Sequence, residues 1–221
     1  MIRNTVTGHE AEVLIYVLLL LLLSITRYSE ESRLGLFLRS FTNANLVDQQ
    51  LRQERAFSRL ALLSFVIVLV STSAFVALTF HHFGLFSDFS FFGLTLFVLV
   101  GLILLTTARV ALYAFTAWLF ELDHLQQQHS FHWLLNNFIL SLFLIPASIL
   151  ISFAPSLIST SLIYAGLLVM SVFYGIRILR LASITHSSFH VPVQYNFLYI
   201  CALEILPPLL VITLISRQIG G

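Results

Sequence analysis

Long apolar runs constrain the fold of this chain more than any other feature. Several of them approach or exceed the roughly 20 residues that a helix needs to cross a bilayer. They predict an all-α fold, a polytopic transmembrane helical bundle that forms a single integral membrane domain over residues 1–221. We expect about six spans, at 13–26, 60–80, 91–114, 131–153, 157–179 and 196–215.

The composition agrees with this class and excludes others. Hydrophobic residues make up 58% of the chain and charged residues only 10%, which is far from a soluble average. The formal net charge of +1 argues against a nucleic-acid surface, so we expect membrane lipids and other membrane proteins as partners. A single cysteine excludes an intramolecular disulfide and a multi-cysteine metal site, and we predict no cofactor.

The arginines predict the orientation, because cytoplasmic loops of membrane proteins are enriched in basic residues. The run at 13–26 is short, but its weak cationic start and the lack of a small-residue cleavage site favour a retained span over a signal peptide. Both termini then lie outside, and the orientation inverts if this run does not span. Eight arginines fall inside, namely Arg27, Arg33, Arg39, Arg52, Arg55, Arg59, Arg177 and Arg180, whereas only Arg3 and Arg217 fall outside.

The long polar region at 27–59 is predicted to be a cytoplasmic amphipathic segment with helical pieces. Residues 33–41 mix Leu and Phe with arginine, as an interfacial helix does, and Asn43 or Asn45 can cap a second helix. The segment either docks on anionic lipid or a partner, or is a solvated connector whose arginines only set topology. The candidate contact residues are Arg33, Arg39, Asn43, Asn45, Gln50, Arg52 and Glu54.

The last run, 196–215, contains a carboxylate, Glu204, which is costly in a bilayer and therefore faces a partner, a cavity or water. Pro207 and Pro208 lack an N–H group, so two backbone carbonyls beside Glu204 lose their helical donors. Cys201 and Pro208 share a helical face with Glu204. The alternative interpretation is that Glu204 only secures helix packing through a hydrogen bond.

Two polar features of the middle runs are further candidates for an intramembrane site. Arg109 interrupts an apolar stretch of about 45 Å, so it is either near the inner interface or deep enough to pair with Glu204. Asn136 and Asn137 can bond across helices. Pro146 is expected to bend its span, since it leaves the carbonyl of Leu142 without a donor.

The connections carry the remaining candidates. Residues 154–156 are predicted to form a tight outer turn, and His81 and His82 to lie in an outer loop at the interface. Residues 121–132 and 181–195 are predicted to be inner loops. A metal site in the first of these would use His124, His129 and His132, but a histidine-rich interface explains the same pattern.

Two sequence blocks carry a family resemblance: LRSFTNANLVDQQLRQE at 38–54 and FLYICALEILPPLL at 197–210. Together they resemble an uncharacterised family of bacterial inner-membrane proteins, a domain of unknown function found mainly in the Bacteroidota. The resemblance implies an inner-membrane location and no particular reaction. It gives weight to Arg39, Phe41, Asn43, Asn45, Gln50, Glu54, Tyr199, Cys201, Glu204 and Pro207.

Three functions fit these observations. The first is a non-enzymatic inner-membrane component of an envelope machine or assembly pathway, which contacts partners through its spans and 33–59. The second is a small transporter or channel with a polar site around Glu204 and Arg109. The third is a membrane enzyme acting on a lipid or isoprenoid carrier, which is the weakest because no phosphate-binding loop, nucleophile elbow or other catalytic motif is present.

Overall fold

The helical fold is confirmed in a computed structural model that describes residues 6–29, 59–84, 86, 89–120, 123–188 and 213. Within those residues the chain forms five helices and no strand. The helices are α1 (Val6–Ser29), α2 (Arg59–His82), α3 (Phe91–Phe120), α4 (Asp123–Phe153) and α5 (Ser156–Ser188). The polar segment between α1 and α2 lies outside the described residues from 30 to 58.

Four helices are long and apolar enough to cross a membrane, as a multi-pass membrane protein requires. The candidate spans are Ala61–His82 in α2, Phe91–Leu112 in α3, Ser130–Phe153 in α4 and Leu157–Leu179 in α5. The predicted run at 13–26 is helical within α1 but is not among these four. The predicted last span at 196–215 lies outside the described residues except for Thr213, so the predicted total of about six spans is not confirmed.

The helices extend further into polar sequence than predicted. Residues 123–130 belong to α4 and residues 181–188 to α5, so the loops predicted at 121–132 and 181–195 are wrong over those stretches. His81 and His82 form the last turn of α2 and not a loop. Hydropathy falls at the edge of an apolar run, but a helix continues until a breaker, and neither extension contains Gly or Pro.

α2 and α4 form the centre of the bundle. In the most apolar part of each of these two helices 56% of the residues are buried, against 22% in the corresponding part of α3 and 11% in that of α5. α2 packs most extensively on α4; α3 lies mainly against α2, and α5 lies mainly against α4. α1 packs chiefly on α2, with smaller contacts to α3 and α4. The core therefore lies between two helices, and three others surround it.

The surrounding helices bury one narrow stripe each. In α1 the stripe runs through Tyr16, Leu19 and Thr26, and in α5 through Ser159, Ile163 and Gly166. Alternating steps of three and four residues produce such a stripe on one side of a helix. The rest of each circumference is apolar and exposed, as expected for helices whose other faces meet lipid or another protein.

Neighbouring helices run in opposite directions, which gives the bundle two distinct ends. The turn end holds the 83–90 connection and the Ala154–Pro155 turn, which lies where it was predicted. There the ring of His82, at the end of α2, is 2.9 Å from the hydroxyl of Thr160, near the start of α5. The opposite end, called the far end below, holds the start of α4. α4 continues through Pro146 without interruption.

Candidate functional site

The structure describes only some of the predicted site residues. Arg109, Asn136, Asn137 and His132 have described side chains, and His124 and His129 lie on the backbone of α4. Glu204, Cys201, Pro207 and Pro208 lie outside the described residues, as do all seven contact candidates between 33 and 54. The arrangement of the intramembrane site can therefore be traced only from its α3 and α4 side.

Polar groups gather at one level near the far end, which we call the far-end tier. Its members are Ser64 of α2, Arg109 of α3, Asn136 of α4, and Phe173 and Arg177 of α5. Counted from the turn-end limit of each helix at 1.5 Å per residue, they lie about 25 to 32 Å along the bundle. Each of the four helices that form candidate spans thus has, at similar depth, a polar side chain or a backbone carbonyl that accepts a side-chain hydrogen bond.

Asn136 links α4 to α5 within this tier. Its side chain is only 4% exposed, and its Nδ2 donates a hydrogen bond to the backbone carbonyl of Phe173 at 3.3 Å. Its Oδ1 is buried and has no hydrogen-bond partner in the described part of the chain, and the same holds for the Oγ of Ser64. A buried acceptor left in this state is unfavourable. The tier therefore retains capacity to accept hydrogen bonds.

Asn137 has a different role although it is the next residue. Its Nδ2 donates to the carbonyl of Trp133 at 2.8 Å, one turn earlier in the same helix, and the side chain is half-buried. A bond of this kind satisfies the amide without joining two helices. Of the two asparagines that were expected to be able to bond across helices, Asn136 forms such a bond, whereas the described bond of Asn137 is local.

Arg109 faces the bundle. From Leu102 onward the half-buried positions described in α3 are Leu102, Thr106 and Arg109, which follow one another by four and three residues and form one stripe. The residues between them are exposed. Because Glu204 lies outside the described residues, the Arg109–Glu204 pair stays a prediction. The pair requires the Arg109 side chain to face the bundle, and the half-buried stripe places it on that side.

Tyr16 joins α1 to α4 near the turn end, a contact that the sequence analysis missed. Its hydroxyl lies 2.7 Å from the Oγ of Ser152 and donates to the carbonyl of Ser148 at 3.3 Å, and the side chain is 4% exposed. A tyrosine within a run of leucines was the available signal, because a buried tyrosine hydroxyl usually requires a partner. The contact incorporates α1 into the bundle.

Two glycines of α5 have contrasting surroundings. A Cβ added at Gly166 would lie 2.5 Å from the Phe75 ring, so the ring occupies the space that the missing side chain leaves. A Cβ added at Gly175 would meet nothing within 4 Å in the described part of the chain. Gly175, which is half-buried, lies on the same side of α5 as the exposed residues Ser161, Ala165 and Ser171, and this side is called the small-residue face below.

The metal hypothesis for the histidines of α4 involves side chains that the structure describes only in part. Among the described residues there is no group of three or more His, Cys, Asp or Glu side chains that could hold a metal ion. His132 is half-buried, and the side chains of His124 and His129 are not described. The weak metal hypothesis for these three residues therefore stays untested.

Comparison with known families gives one assignment. A family model described as a domain of unknown function (DUF4271) matches residues 13–215. The chain belongs to this family. The match includes both blocks, 38–54 and 197–210, on which the resemblance to an uncharacterised family was based, so that prediction is confirmed. No curated protein and no solved structure matches this DUF4271 chain.

Proposed function

We propose that this DUF4271 protein is a non-enzymatic component of an envelope machine or assembly pathway in the inner (cytoplasmic) membrane of a bacterium. It acts by binding other membrane proteins through its spans and through residues 33–59. The observation that carries the proposal is the one-sided packing of α5. Within the described residues this helix buries a single stripe against the other helices and leaves a face with small residues open.

The small-residue face is the feature that favours a protein partner over lipid alone. Helices in membranes associate where small residues let their backbones approach closely. Gly175 has no packing contact in the described structure that requires a glycine, yet glycine weakens a helix by about 1 kcal/mol relative to alanine. Ser161 and Ala165 are four residues apart, as are Ser171 and Gly175. A second helix that packs here would explain the composition of this face.

The use of the polar groups also supports a binding protein. Tyr16, Asn136 and His82 each form a hydrogen bond to another helix. Most of the serine and threonine hydroxyls, such as those of Ser141 and Thr79, bond to carbonyls of their own helix. These groups are occupied by bonds between helices or within one helix, whereas an enzyme or a pore would direct several of them into a shared cavity.

The proposed topology has six spans with both termini outside. It counts α1 and residues 196–215 as spans in addition to the four candidates. The contact of Tyr16 with Ser152 supports α1 as a retained member of the bundle. In this orientation the turn end faces outward, and the far-end tier lies near the cytoplasmic surface. The inner membrane and bacterial source are inferred from the family resemblance and the arginine distribution.

Affinity isolation from native membranes in mild detergent, followed by mass spectrometry, tests the proposal. Wild type is compared with Gly175→Leu, which fills the open position on the small-residue face. The matched control is Gly101→Leu, because Gly101 of α3 has equally open surroundings but bulky neighbours at Phe97 and Leu105. We expect wild type and Gly101→Leu to retain stoichiometric membrane partners and Gly175→Leu to lose them at least tenfold.

Two results would contradict the proposal. Isolation of wild-type protein without any membrane partner would refute the proposal as a whole. Equal recovery of membrane partners with Gly175→Leu and with wild type would exclude the small-residue face as the contact. A companion sample of Glu204→Gln shows whether the last run contributes to the same assembly.

A transporter with a polar intramembrane site is the second candidate, favoured by the far-end tier. Asn136 keeps a buried acceptor without a partner among the described residues, and Arg109 lies on the inward stripe of α3. Glu204 would complete the site. Restored stability of an Arg109→Glu, Glu204→Arg double variant, relative to each single change, would support the pair. Labelling of Cys201 by a water-soluble thiol reagent would support a cavity at that depth.

A further inference from the structure

The connection between α2 and α3, residues 83–90, is unusually apolar for a loop. It contains three phenylalanines and one charged residue, Asp88. Loops in contact with water are normally polar and rich in turn residues. Two more phenylalanines, Phe91 and Phe92, follow at once in α3. A stretch of this composition requires an apolar environment.

Five phenylalanines of this region form what we call the phenylalanine patch: Phe83, Phe86, Phe89, Phe92 and Phe97. The Phe86 ring lies 6.4 Å from Phe89 and 6.5 Å from Phe97, centroid to centroid, and Phe89 stacks on Phe97 at 6.4 Å. Phe89 and Phe92 are each 51% exposed, and Phe97 is 62% exposed. The rings of Phe86, Phe89 and Phe97 thus contact one another, and with Phe83 and Phe92 they present a broad apolar surface.

The backbone holds the patch in a defined shape. Phe86 has a φ of 60°, in the left-handed region that side-chain-bearing residues rarely adopt, shortly after Gly84 at 70°. The N–H of Phe89 donates to the carbonyl of Phe86 at 3.0 Å, and the Oγ of Ser90 accepts from the N–H of Gly93 at 3.2 Å. The unfavourable φ of Phe86 places its ring against those of Phe80, Phe89 and Phe97.

We propose that the phenylalanine patch inserts into the acyl-chain region of the leaflet at the turn end. The patch is continuous with the exposed apolar face of α3, because Leu96, Val100 and Leu104 extend from Phe92 and Phe97 along the candidate span. Every exposed position of α3 from Phe92 to Leu104 carries a bulky apolar side chain, so lipid chains fit this part of the face better than a packed helix does. The loop therefore lies within the membrane and not above it.

Insertion of the patch would also fix the depth of α3. With Phe91 at the edge of a hydrocarbon core about 30 Å thick, a helix of 30 residues extends about 15 Å beyond the core at the far end. Arg109 is about 27 Å along α3 from Phe91. Its guanidinium group would then reach the headgroups of the opposite leaflet, where it can bind phosphate. This favours the interfacial position of Arg109 over the deep one.

Spin-label accessibility tests the insertion directly. A nitroxide is attached at Phe89→Cys in full-length protein carrying Cys201→Ser, reconstituted alone in phosphatidylethanolamine–phosphatidylglycerol vesicles. Relaxation by oxygen, which concentrates in acyl chains, is compared with relaxation by a water-soluble nickel chelate. Pro155→Cys, in the exposed turn at the same end, is the reference for water. A label at Phe92→Cys repeats the measurement without removing a ring from the contacts around Phe86.

We expect labels at positions 89 and 92 to have an oxygen-to-nickel ratio several-fold above that at position 155. A ratio at both positions equal to the Pro155 reference would overturn the proposal, because the patch would then lie in water. Labels shielded from both reagents would also overturn it, since protein and not lipid would cover the patch. If Phe89→Cys does not purify as a folded protein, the label at position 92 decides.

Discussion

α4 and α5 are similar in length and both are apolar over most of their circumference, yet they occupy opposite situations. α4 has 31 residues and exposes a narrow stripe through Phe143, Pro146, Leu150 and Phe153. α5 has 33 residues and buries only a narrow stripe through Ser159, Ile163 and Gly166. Hydropathy does not separate them, because lipid and protein core are equally apolar surroundings.

The small and polar residues carry the difference. The centre of the bundle contains buried Ser64, Ser71, Ser141 and Ser148, which pack without bulk, and Phe75 fills the space that Gly166 leaves. α5 presents its other small residues outward. Gly166 thus packs within the chain, whereas we expect Gly175 to pack against a second protein. The predictions below test this contrast, from the largest effect to the smallest.

Truncation of Phe75, the buried aromatic side chain at the centre of the bundle, should lower the free energy of unfolding most. Phe75 is fully buried between α2 and α5, so Phe75→Ala should lower the free energy of unfolding in detergent by about 3–5 kcal/mol. The control is Phe153→Ala, which removes a ring that is largely exposed at the end of α4. Similar losses for both variants would contradict the distinction between centre and periphery.

Filling the two glycines of α5 should have unequal effects. Gly166→Val collides with the Phe75 ring and should destabilise the bundle by about 1–3 kcal/mol, as overpacked cores do. Gly175→Val enters open space and should change the stability of the isolated protein by less than about 0.5 kcal/mol. Thermal unfolding of the two variants in the same detergent measures the difference, and equal shifts would show that the faces are misassigned.

Removal of the Tyr16 hydroxyl should loosen α1. Tyr16→Phe loses the bonds to Ser152 and to the carbonyl of Ser148 and should cost about 0.6–2 kcal/mol. Tyr164→Phe is the matched control, because that tyrosine is exposed on α5. Protease cleavage after α1 in membranes, monitored over time, reports the loosening, and an equal response of both variants would mean that the hydroxyl does not hold α1.

Substitution of the two asparagines should have the smallest effects on stability, and the two effects should differ from each other measurably. Asn136→Ala removes a bond between helices and should cost about 0.6 kcal/mol, partly offset because a buried acceptor without a partner is removed as well. Asn137→Ala removes a bond within α4 and should have a smaller effect. Unfolding titrations in mixed micelles compare them, and a larger loss at position 137 would reverse the assignment.

The positions of the helices along the chain were largely predictable from the sequence, whereas the side that each helix buries was not. The turn at 154–155 follows from Pro155, and the starts of α2 and α3 follow from the edges of their apolar runs. The extensions at 123–130 and 181–188 were missed because polar helix formers look like a loop once hydropathy falls. Gly166 and Gly175 look alike in sequence, and only the position of Phe75 separates their roles.

The candidate site was predictable in part for the same reason. An Asn or Arg inside an apolar run is conspicuous, so Asn136 and Arg109 were identified directly. That Asn136 reaches the carbonyl of Phe173, a residue with no polar side chain, leaves no mark in the sequence. The contact of Tyr16 with Ser152 joins positions 136 residues apart, and no spacing rule predicts it.

Photo-crosslinking in native membranes tests the central claim, that the exposed face of α5 binds a membrane protein whereas that of α3 meets lipid. Benzoylphenylalanine is placed at Leu168 of α5 or at Leu104 of α3, two leucines that are both 65% exposed. We predict a discrete protein adduct from position 168 and none from position 104. Adducts from both positions, or from position 104 alone, would contradict the account.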